Sequence, residues 1–299
     1  MVMFKLERKC VKVAGVVVCS CKFNANMSLY KGYLFDPGIQ CSIPSKDVKV
    51  VFLTHGHMDH CSGAALLSGR ARIYAPRHCV AFIERPQVLH TITMGGGAVP
   101  ENLITPYFIG SSVFVDELVV EGCVADGVYA IATPGHTPGH HSYIVETEYG
   151  RVLIAGDLLF SSDYLERYPL LYHMDTVALL DSLEKIGRAD IDAIVPGHGM
   201  PVEGSRAVNN IIKENIHAVN NMLRFVEDIL PNTQEEALSF DEVIAEAAKR
   251  LDLSENPRTY SVLSPTIRAL LFALLRLGRA ALVVVNGVPR WYAEKRSCR

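Results

Sequence analysis

Glutamine is nearly missing from this 299-residue chain, occurring at Gln40, Gln87 and Gln234, and there is one tryptophan. Scarcity of a thermolabile side chain hints at a thermophilic source. No C-x-x-C pair occurs among Cys10, Cys19, Cys21, Cys41, Cys61, Cys79, Cys123 and Cys298, which excludes a zinc ribbon and the framework of a small secreted domain. The expectation is reduced, buried thiols, with cytosolic disulfides admissible in a thermophile. No apolar run is long enough to cross a bilayer. The best, Ala269 to Val285, is broken by Arg276, Gly278 and Arg279 and falls short of about 18 to 20 uninterrupted residues. Charge excess of either sign is missing too: 29 Lys+Arg stand against 32 Asp+Glu, so a dedicated electrostatic nucleic-acid binder is disfavoured. A signal peptide is not expected. Lys5, Arg8, Lys9 and Lys12 precede the run Val13 to Cys19, but Glu7 interrupts the basic part and the valine-rich run reads as strand. The chain is expected to be cytoplasmic, with no membrane partner.

What is present suffices for a sizeable core, with 49% hydrophobic and 20% charged residues, and excludes a mostly disordered chain. From Val11 to about Val202, short β-branched runs alternate with helical stretches, as expected of an α/β region. Val48 to Leu53 is a near-continuous apolar run, the pattern of a buried strand. Further strands are predicted at Ala71 to Ala75, Gly127 to Ala132, His141 to Glu146, Arg151 to Ala155 and Ala193 to Pro196. Near residue 205 the period becomes helical. Ser205 is the expected N-cap of a helix that Pro231 stops. Helices follow over about Asp241 to Leu251 and Tyr260 to Leu277, then two apolar runs joined by Asn286-Gly287, a strong hairpin signal. The reading divides the chain into an α/β domain over 1–204, a connecting helix over 205–230 and a terminal module over 231–299. Counted with the connecting helix, three helices and a hairpin make the end of the chain similar to a winged-helix module.

The strand ending at Leu53 runs into Thr54-His55-Gly56-His57-Met58-Asp59-His60. Four metal-ligand types within six residues is far from chance in a chain with 11 His. His55 and His57, two apart on extended backbone, can address one ion, while Asp59 and His60 beyond the turn can reach a neighbouring one. Other ligand types stand at predicted strand ends: His136 in Thr133-Pro-Gly-His-Thr-Pro-Gly139, Asp157 after Gly156, and His198 between Gly197 and Gly199.

The series H-x-H-x-D-H, G-H-T-P-G-H, G-D and G-H-G resembles the metallo-β-lactamase superfamily of di-metal hydrolases, over about residues 11 to 204. The resemblance implies a four-layer αββα sandwich with metals at one edge. It implies that His55, His57 and His136 hold a first ion, that Asp59, His60 and His198 hold a second, and that Asp157 bridges them. Imidazole with carboxylate suits two Zn²⁺ per chain, with Fe or Mn as alternatives at the second site. The activity implied is hydrolysis by a metal-bridging hydroxide that attacks a polarised centre, with Asp59 as catalytic residue orienting it. Asp36, in the turn Phe35-Asp-Pro-Gly38, matches a buried Asp that supports the metal-binding loops.

Other candidates read as ordinary. His140 is expected beside the ligands rather than among them, and His78, His90, His173 and His217 show no ligand-like spacing. Tyr164, Tyr168 and Tyr172 could line a cleft or serve packing. Met94 to Gly97, within an insertion over about Arg85 to Glu117, lacks the residues of a phosphate loop, and a mobile flap is expected there. The segment His136 to His140 and Gly156 to Phe160 resemble the glyoxalase-II-like branch, which implies a thioester or other small-ester substrate. The terminal module resembles an extension found in a single-strand endoribonuclease branch. Residues 231–299 carry 10 basic and 8 acidic residues, too few clustered cations for a phosphate track. A small-molecule substrate is therefore expected, with nucleic acid disfavoured, a non-catalytic binding protein as the third reading, and a homodimer a modest expectation.

Overall fold

The structure, a computed structural model, describes residues 10–21, 23, 25–39, 41, 43, 47–104, 108–253 and 257–294. The basic segment with Lys5, Glu7, Arg8 and Lys9, and also Cys298, lie outside the described residues.

Valine-rich and aromatic runs build two sheets that face each other. The first contains β1 (Cys10–Val13), β2 (Val16–Ser20), β3 (Asn26–Tyr30), β4 (Tyr33–Phe35), β5 (Val50–Phe52), β6 (Arg72–Pro76) and β7 (Glu117–Val119), side by side in chain order. Hairpins join β1 to β4, and β4 to β7 run parallel. The second contains β8 (Gly122–Ala125), β9 (Val128–Ala132), β10 (His141–Thr147), β11 (Gly150–Phe160), β12 (Ala193–His198) and β13 (Val202–Glu203), again as sequential neighbours. In it only β11 and β12 pair in parallel among the described strands.

Between the sheets lie Val16, Val18, Phe35 and Phe52 from one side and Tyr143, Val145, Val152, Ile154 and Val195 from the other. Phe52 sits 5.3 Å from the rings of Phe35 and Tyr143, so truncating it to Ala should cost about 3–5 kcal/mol. The outer face of the first sheet is covered by α1 (Met58–Cys61), the tight turns of Ser62–Leu67 and α2 (Val80–Glu84). Next come α3 (Pro86–Thr93), α4 (Ser162–Arg167), α5 (Thr176–Gly187) and α6 (Ser205–Glu227), of which α5 and α6 cover the outer face of the second sheet. Two sheets between two helical layers make the αββα sandwich expected from the motifs. The strand expected over Arg151 to Ala155 is longer than its apolar run suggests and carries through Asp157 to Phe160. Helix α6 begins at Ser205, but Gly204 at φ +92 takes the cap position and no side chain caps the helix.

Beyond α6 come β14 (Leu238–Ser239), α7 (Phe240–Arg250), α8 (Pro257–Arg276), β15 (Ala280–Val285) and β16 (Val288–Ala293), with sheet order β14-β16-β15. Ser239 and Glu242 close a capping box at the start of α7. Asn286 and Gly287 both take positive φ, as a two-residue hairpin turn requires. Leu263, Ile267, Leu270, Leu271 and Leu274 of α8 pack on Met222, Leu223 and Val226 of α6 and on Phe160 and Leu171. That apolar face is thereby covered from within the chain, while Phe272 and Leu275 stay exposed. On α6, the buried Asn215 accepts the Phe160 N–H at 3.0 Å and donates to the Phe160 carbonyl at 2.9 Å, closing the end of β11.

One expectation needs correction. Cys10–Cys19 and Cys21–Cys41 are disulfides. The first pair lies directly opposite across β1 and β2, an adjacency set by hairpin register and invisible in the spacing. Cys61 and Cys79 are buried thiols as expected. The insertion, expected as a mobile flap, carries α3, and its Leu89, Ile104 and Phe108 pack against Phe82 of α2. His90 Nε2 anchors it by bonding the Phe108 carbonyl at 2.7 Å.

Candidate metal centre

Strand ends on both sheets converge at one edge of the sandwich. After β5 the chain turns through His55 and His57 into α1, which carries Asp59 and His60. His136 lies in the turn between β9 and β10. Met174 and Asp175 both donate backbone N–H to the Gly135 carbonyl, so the entry to α5 holds this turn. Asp157 lies in β11, where the ladder to β12 is irregular on both sides of Gly156. His198 ends β12. The preceding Gly197 leaves room for the carboxylate, since a Cβ there would stand 2.0 Å from Asp157 Oδ1. Each of these seven residues is 5% exposed or less.

Asp157 occupies the middle. Its Oδ2 faces His136 Nε2 at 3.2 Å and His55 Nε2 at 3.8 Å. Its Oδ1 faces His60 Nε2 at 3.1 Å and His198 Nε2 at 3.4 Å. His57 turns Nδ1 inward, 2.9 Å from His136 Nε2, and Asp59 Oδ2 lies 3.6 Å from His198 Nε2. The donor atoms fall into two sets: His55, His57, His136 and Asp157 form one, and Asp59, His60 and His198 form the other. A third grouping, Asp36 with His55 and His60, uses a carboxylate already engaged. Asp36 accepts the Thr54 N–H at 2.8 Å, the Thr54 hydroxyl at 2.7 Å and His60 Nδ1 at 3.0 Å.

The outer partners set the tautomers. His136 Nδ1 meets the Tyr172 carbonyl at 2.9 Å and His198 Nδ1 meets the Phe23 carbonyl at 3.1 Å. A carbonyl only accepts, so each Nδ1 carries the proton and each Nε2 turns a lone pair inward. His60 does the same through Asp36. The Nε2 atoms of His60 and His198 then face each other at 3.3 Å, lone pair against lone pair. His55 Nε2 is buried without a hydrogen-bond partner. Buried acceptors crowded together need a cation between them. The residues present therefore fit a divalent metal, and neutral imidazole with carboxylate is the donor chemistry such an ion takes.

Electrostatics favour neutral rings at His55, His57 and His136 and draw positive charge to His60, where a proton and a metal ion compete for the same Nε2 lone pair. Burial, aided by the neighbouring histidines, holds His55 and His57 well below the usual imidazole range. Burial brings His136 down to about 4. Burial also opposes charge on His60, but Asp157 and Asp59, with hydrogen bonds to Asp157 and Asp36, raise it well above its ordinary value. Burial would raise Asp157, yet His60, His198 and His136 hold it well below the carboxylate range. Burial lifts Asp59.

His140 lies beside the donors, not among them. Its Nδ1 bonds Thr133 Oγ1 at 2.9 Å and its ring is 5.2 Å from that of His55. His173 is a core histidine, bonded to Thr176 Oγ1 at 2.8 Å and the Leu171 carbonyl at 3.0 Å. Sequence reasoning missed several supports. Thr54 bonds His55 Nδ1 at 2.9 Å. Asn26 donates to the Pro196 and Gly199 carbonyls at 2.9 and 2.7 Å and so pins the turn that carries His198. Phe108 lays its ring 5.1 Å from that of His57. Only Thr54, next to the first histidine, had a sequence signal.

Comparison with known proteins agrees with this geometry. The chain is 29% identical over 177 residues to the probable metallo-hydrolase YflN of Bacillus subtilis, which covers 52% of this chain and 66% of that one. It is 25% identical over 144 residues to an N-acyl homoserine lactonase of a Bacillus species, covering 47% and 50%. It is 34% identical over 112 residues to a hydroxyacylglutathione hydrolase of Neisseria meningitidis, covering 37% and 34%. The matched parts thus span less than two thirds of these relatives. Among solved structures, a beta-lactamase domain protein from Burkholderia ambifaria superposes with a TM-score of 0.66 at 18% identity, over 95% of this chain and 93% of that one. A metallo-beta-lactamase family protein from Thermus thermophilus gives 0.64 at 17%, over 96% and 98%. Both share the fold across nearly the whole length, terminal module included. Residues 31–198, more than half of the chain, match the metallo-beta-lactamase superfamily, and the chain belongs to that superfamily.

Proposed function

We propose that this protein is a hydrolase with two zinc ions per chain, one held by His55, His57 and His136, the other by Asp59, His60 and His198, with Asp157 shared. The observation that carries this reading is Asp157, which presents one oxygen to each donor set. Two such ions, when bound, acidify water and polarise the bond to be cleaved. The chain's own residues then have separable tasks. Asp36, Thr54, Tyr172 and Phe23 fix the tautomers through their oxygen atoms, and Asp59 lines the cavity beside the donor sets, placed to orient the attacking water.

The substrate proposed is a thioester or other small ester, in keeping with the glyoxalase-II-like motifs and with likeness to a lactonase and a hydroxyacylglutathione hydrolase. The strand–helix–helix–hairpin order after α6 supports reading the terminal module as winged-helix-like. It does not support a nucleic-acid partner. Arg268 lies 3.8 Å over the Phe240 ring, Arg276 pairs with Asp175 at 3.5 Å, and Arg279 pairs with Glu227. No cationic track remains for phosphates among the described residues of that helix. No described helix is long and apolar enough to cross a membrane. A cytoplasmic location is proposed only together with a thermophilic source, because the two disulfides would otherwise be reduced there.

The test is metal analysis of the reconstituted protein, followed by thioesters, lactones, cyclic phosphodiesters, β-lactams and single-stranded RNA assayed beside Asp59→Ala. Two ions per chain and ester-type turnover lost in the variant are expected. One ion or none, or cleavage of RNA alone, would overturn the proposal.

A further inference from the structure

Two aromatic walls rise from the metal centre. On the His57 side, Tyr172 lies 5.0 Å and Phe108 5.1 Å from the imidazole, ring to ring. On the His198 side, Tyr164 lies 4.9 Å and Phe160 5.9 Å from the imidazole, and Tyr168 continues the wall 4.6 Å from Tyr164. Leu170, Leu171 and Val262 close the space between them into a cavity of about 160 Å³ that opens on Asp59 and Asp157. Val262 is only half-buried and comes from α8. The same helix bonds the backbone behind the two leucines, Thr266 Oγ1 meeting the Leu171 carbonyl and the His173 N–H at 3.3 Å each. None of the lining residues is Lys or Arg. Tyr172 Oη, buried without a hydrogen-bond partner, adds a neutral donor rather than a charge.

We infer that this cavity binds an uncharged, apolar arm of the substrate and that α8 of the terminal module is part of the specificity pocket. The inference rests on the hydrolase reading only for the bond that is cleaved. The far end of an anionic arm, away from the metal ligands, would stand among aromatic and aliphatic side chains with no Lys or Arg to meet it, which is costly. An alkyl or aryl arm of similar length would replace water against aromatic and aliphatic walls. The terminal module, similar in its element order to domains that read nucleic acid, here turns α8 toward a small apolar ligand.

The experiment compares the p-nitrophenyl esters of acetate, butyrate and hexanoate with the mono-p-nitrophenyl ester of adipate, on the metal-loaded wild type and on Val262→Arg. Full burial of a methylene is worth about fourfold, so kcat/KM should rise at least about tenfold from acetate to hexanoate. The adipate monoester should fall about 100-fold below hexanoate. Val262→Arg should lower hexanoate turnover and narrow that gap about tenfold or more, the effect of a hydrogen bond to a charged group. A flat chain-length series, equal turnover of the two six-carbon esters, or an unchanged ratio in the variant would overturn the inference. Calorimetry on the wild type separates it from the chemistry: hexanamide should bind at least about tenfold more tightly than acetamide. If hexanamide binds selectively while no ester is hydrolysed by protein holding two ions, the ester reading fails and the pocket stands. If the two ligands bind equally or neither binds, the pocket assignment fails.

Discussion

Replacing Asp36 by Asn exchanges one carboxylate oxygen for an amide group and should separate the two halves of the metal centre. Asp36 is 1% exposed; its Oδ1 accepts the Thr54 N–H, and its Oδ2 accepts the Thr54 hydroxyl and His60 Nδ1. The backbone donor cannot turn, so an asparagine must keep its oxygen there and place its NH₂ where Oδ2 was. The Thr54 hydroxyl can rotate and accept. His60 Nδ1–H meets a donor and must either lose the bond or move its proton to Nε2, which removes the lone pair aimed between Asp157 and His198. A hydrogen bond to a charged group contributes about 1.5–3 kcal/mol. Loss of such an orienting partner lowers metal affinity about 10- to 100-fold, or about 1.4–2.8 kcal/mol, so the two magnitudes agree. The outer bond of His136 runs to the Tyr172 carbonyl and is untouched, and that of His55 uses the second lone pair of the Thr54 hydroxyl, which the rotation leaves available. The assay is metal content per folded chain across a series of buffered zinc concentrations, with circular dichroism as the folding control. One ion should stay at wild-type affinity and the other should be lost. Two ions held at wild-type affinity, or both lost in parallel, would refute the tautomer argument.

His57→Ala and Asp59→Ala should both abolish hydrolysis, the first with loss of metal from its donor set, the second even when excess metal refills that set; kinetics with measured metal content decide. His140→Ala, altering a ring beside His55, should cost about 10- to 100-fold, and complete inactivity at equal metal content would make His140 a catalytic residue. Chelation should lower the melting temperature by several degrees, because an ion present at about 100 times its Kd stabilises the fold by about 2.7 kcal/mol; an unchanged calorimetric melt would argue against a preformed site. Burial holds His173 at about 4, below its unfolded value of about 6.5. Its contribution is therefore complete above pH 6.5 and is lost as pH falls through 4, up to about 3 kcal/mol. Urea titrations of wild type against His173→Gln should converge over that window, and parallel curves would contradict the assignment.

The donor residues were legible because chemistry concentrates them: four stand within six residues at one strand end, and the other three sit beside glycines that allow sharp turns next to them. Strands of both sheets were legible from β-branched runs and the hairpin from Asn286-Gly287, while the layering of the sheets came only through the family resemblance. What could not be read depends on contacts across the chain. Asn26 meets the Pro196 and Gly199 carbonyls across 170 and 173 positions, and the Phe23 carbonyl reaches His198 from the other sheet. Backbone carbonyls carry no side-chain signature, so no pattern marks them. Cys10 meets Cys19 through strand register, and β11 extends past its apolar run because Gly156 and Asp157 form an irregular ladder that side-chain type does not announce.

The amide of Asn215 has the same donor and acceptor as a peptide group, and on α6 it occupies the place a further strand would take against Phe160. A helix thereby supplies a rung of the sheet three residues beyond Asp157. Aspartate at that position could not donate, leucine could do neither, and both would leave the end of β11 with unpaired polar groups in a buried setting. A chain cut after Glu203 is therefore not a smaller version of the same catalyst, because it removes the partner of the strand that carries the central carboxylate. Grafting a different terminal module onto this core would succeed only if the incoming helix brought its own peptide mimic to that one position.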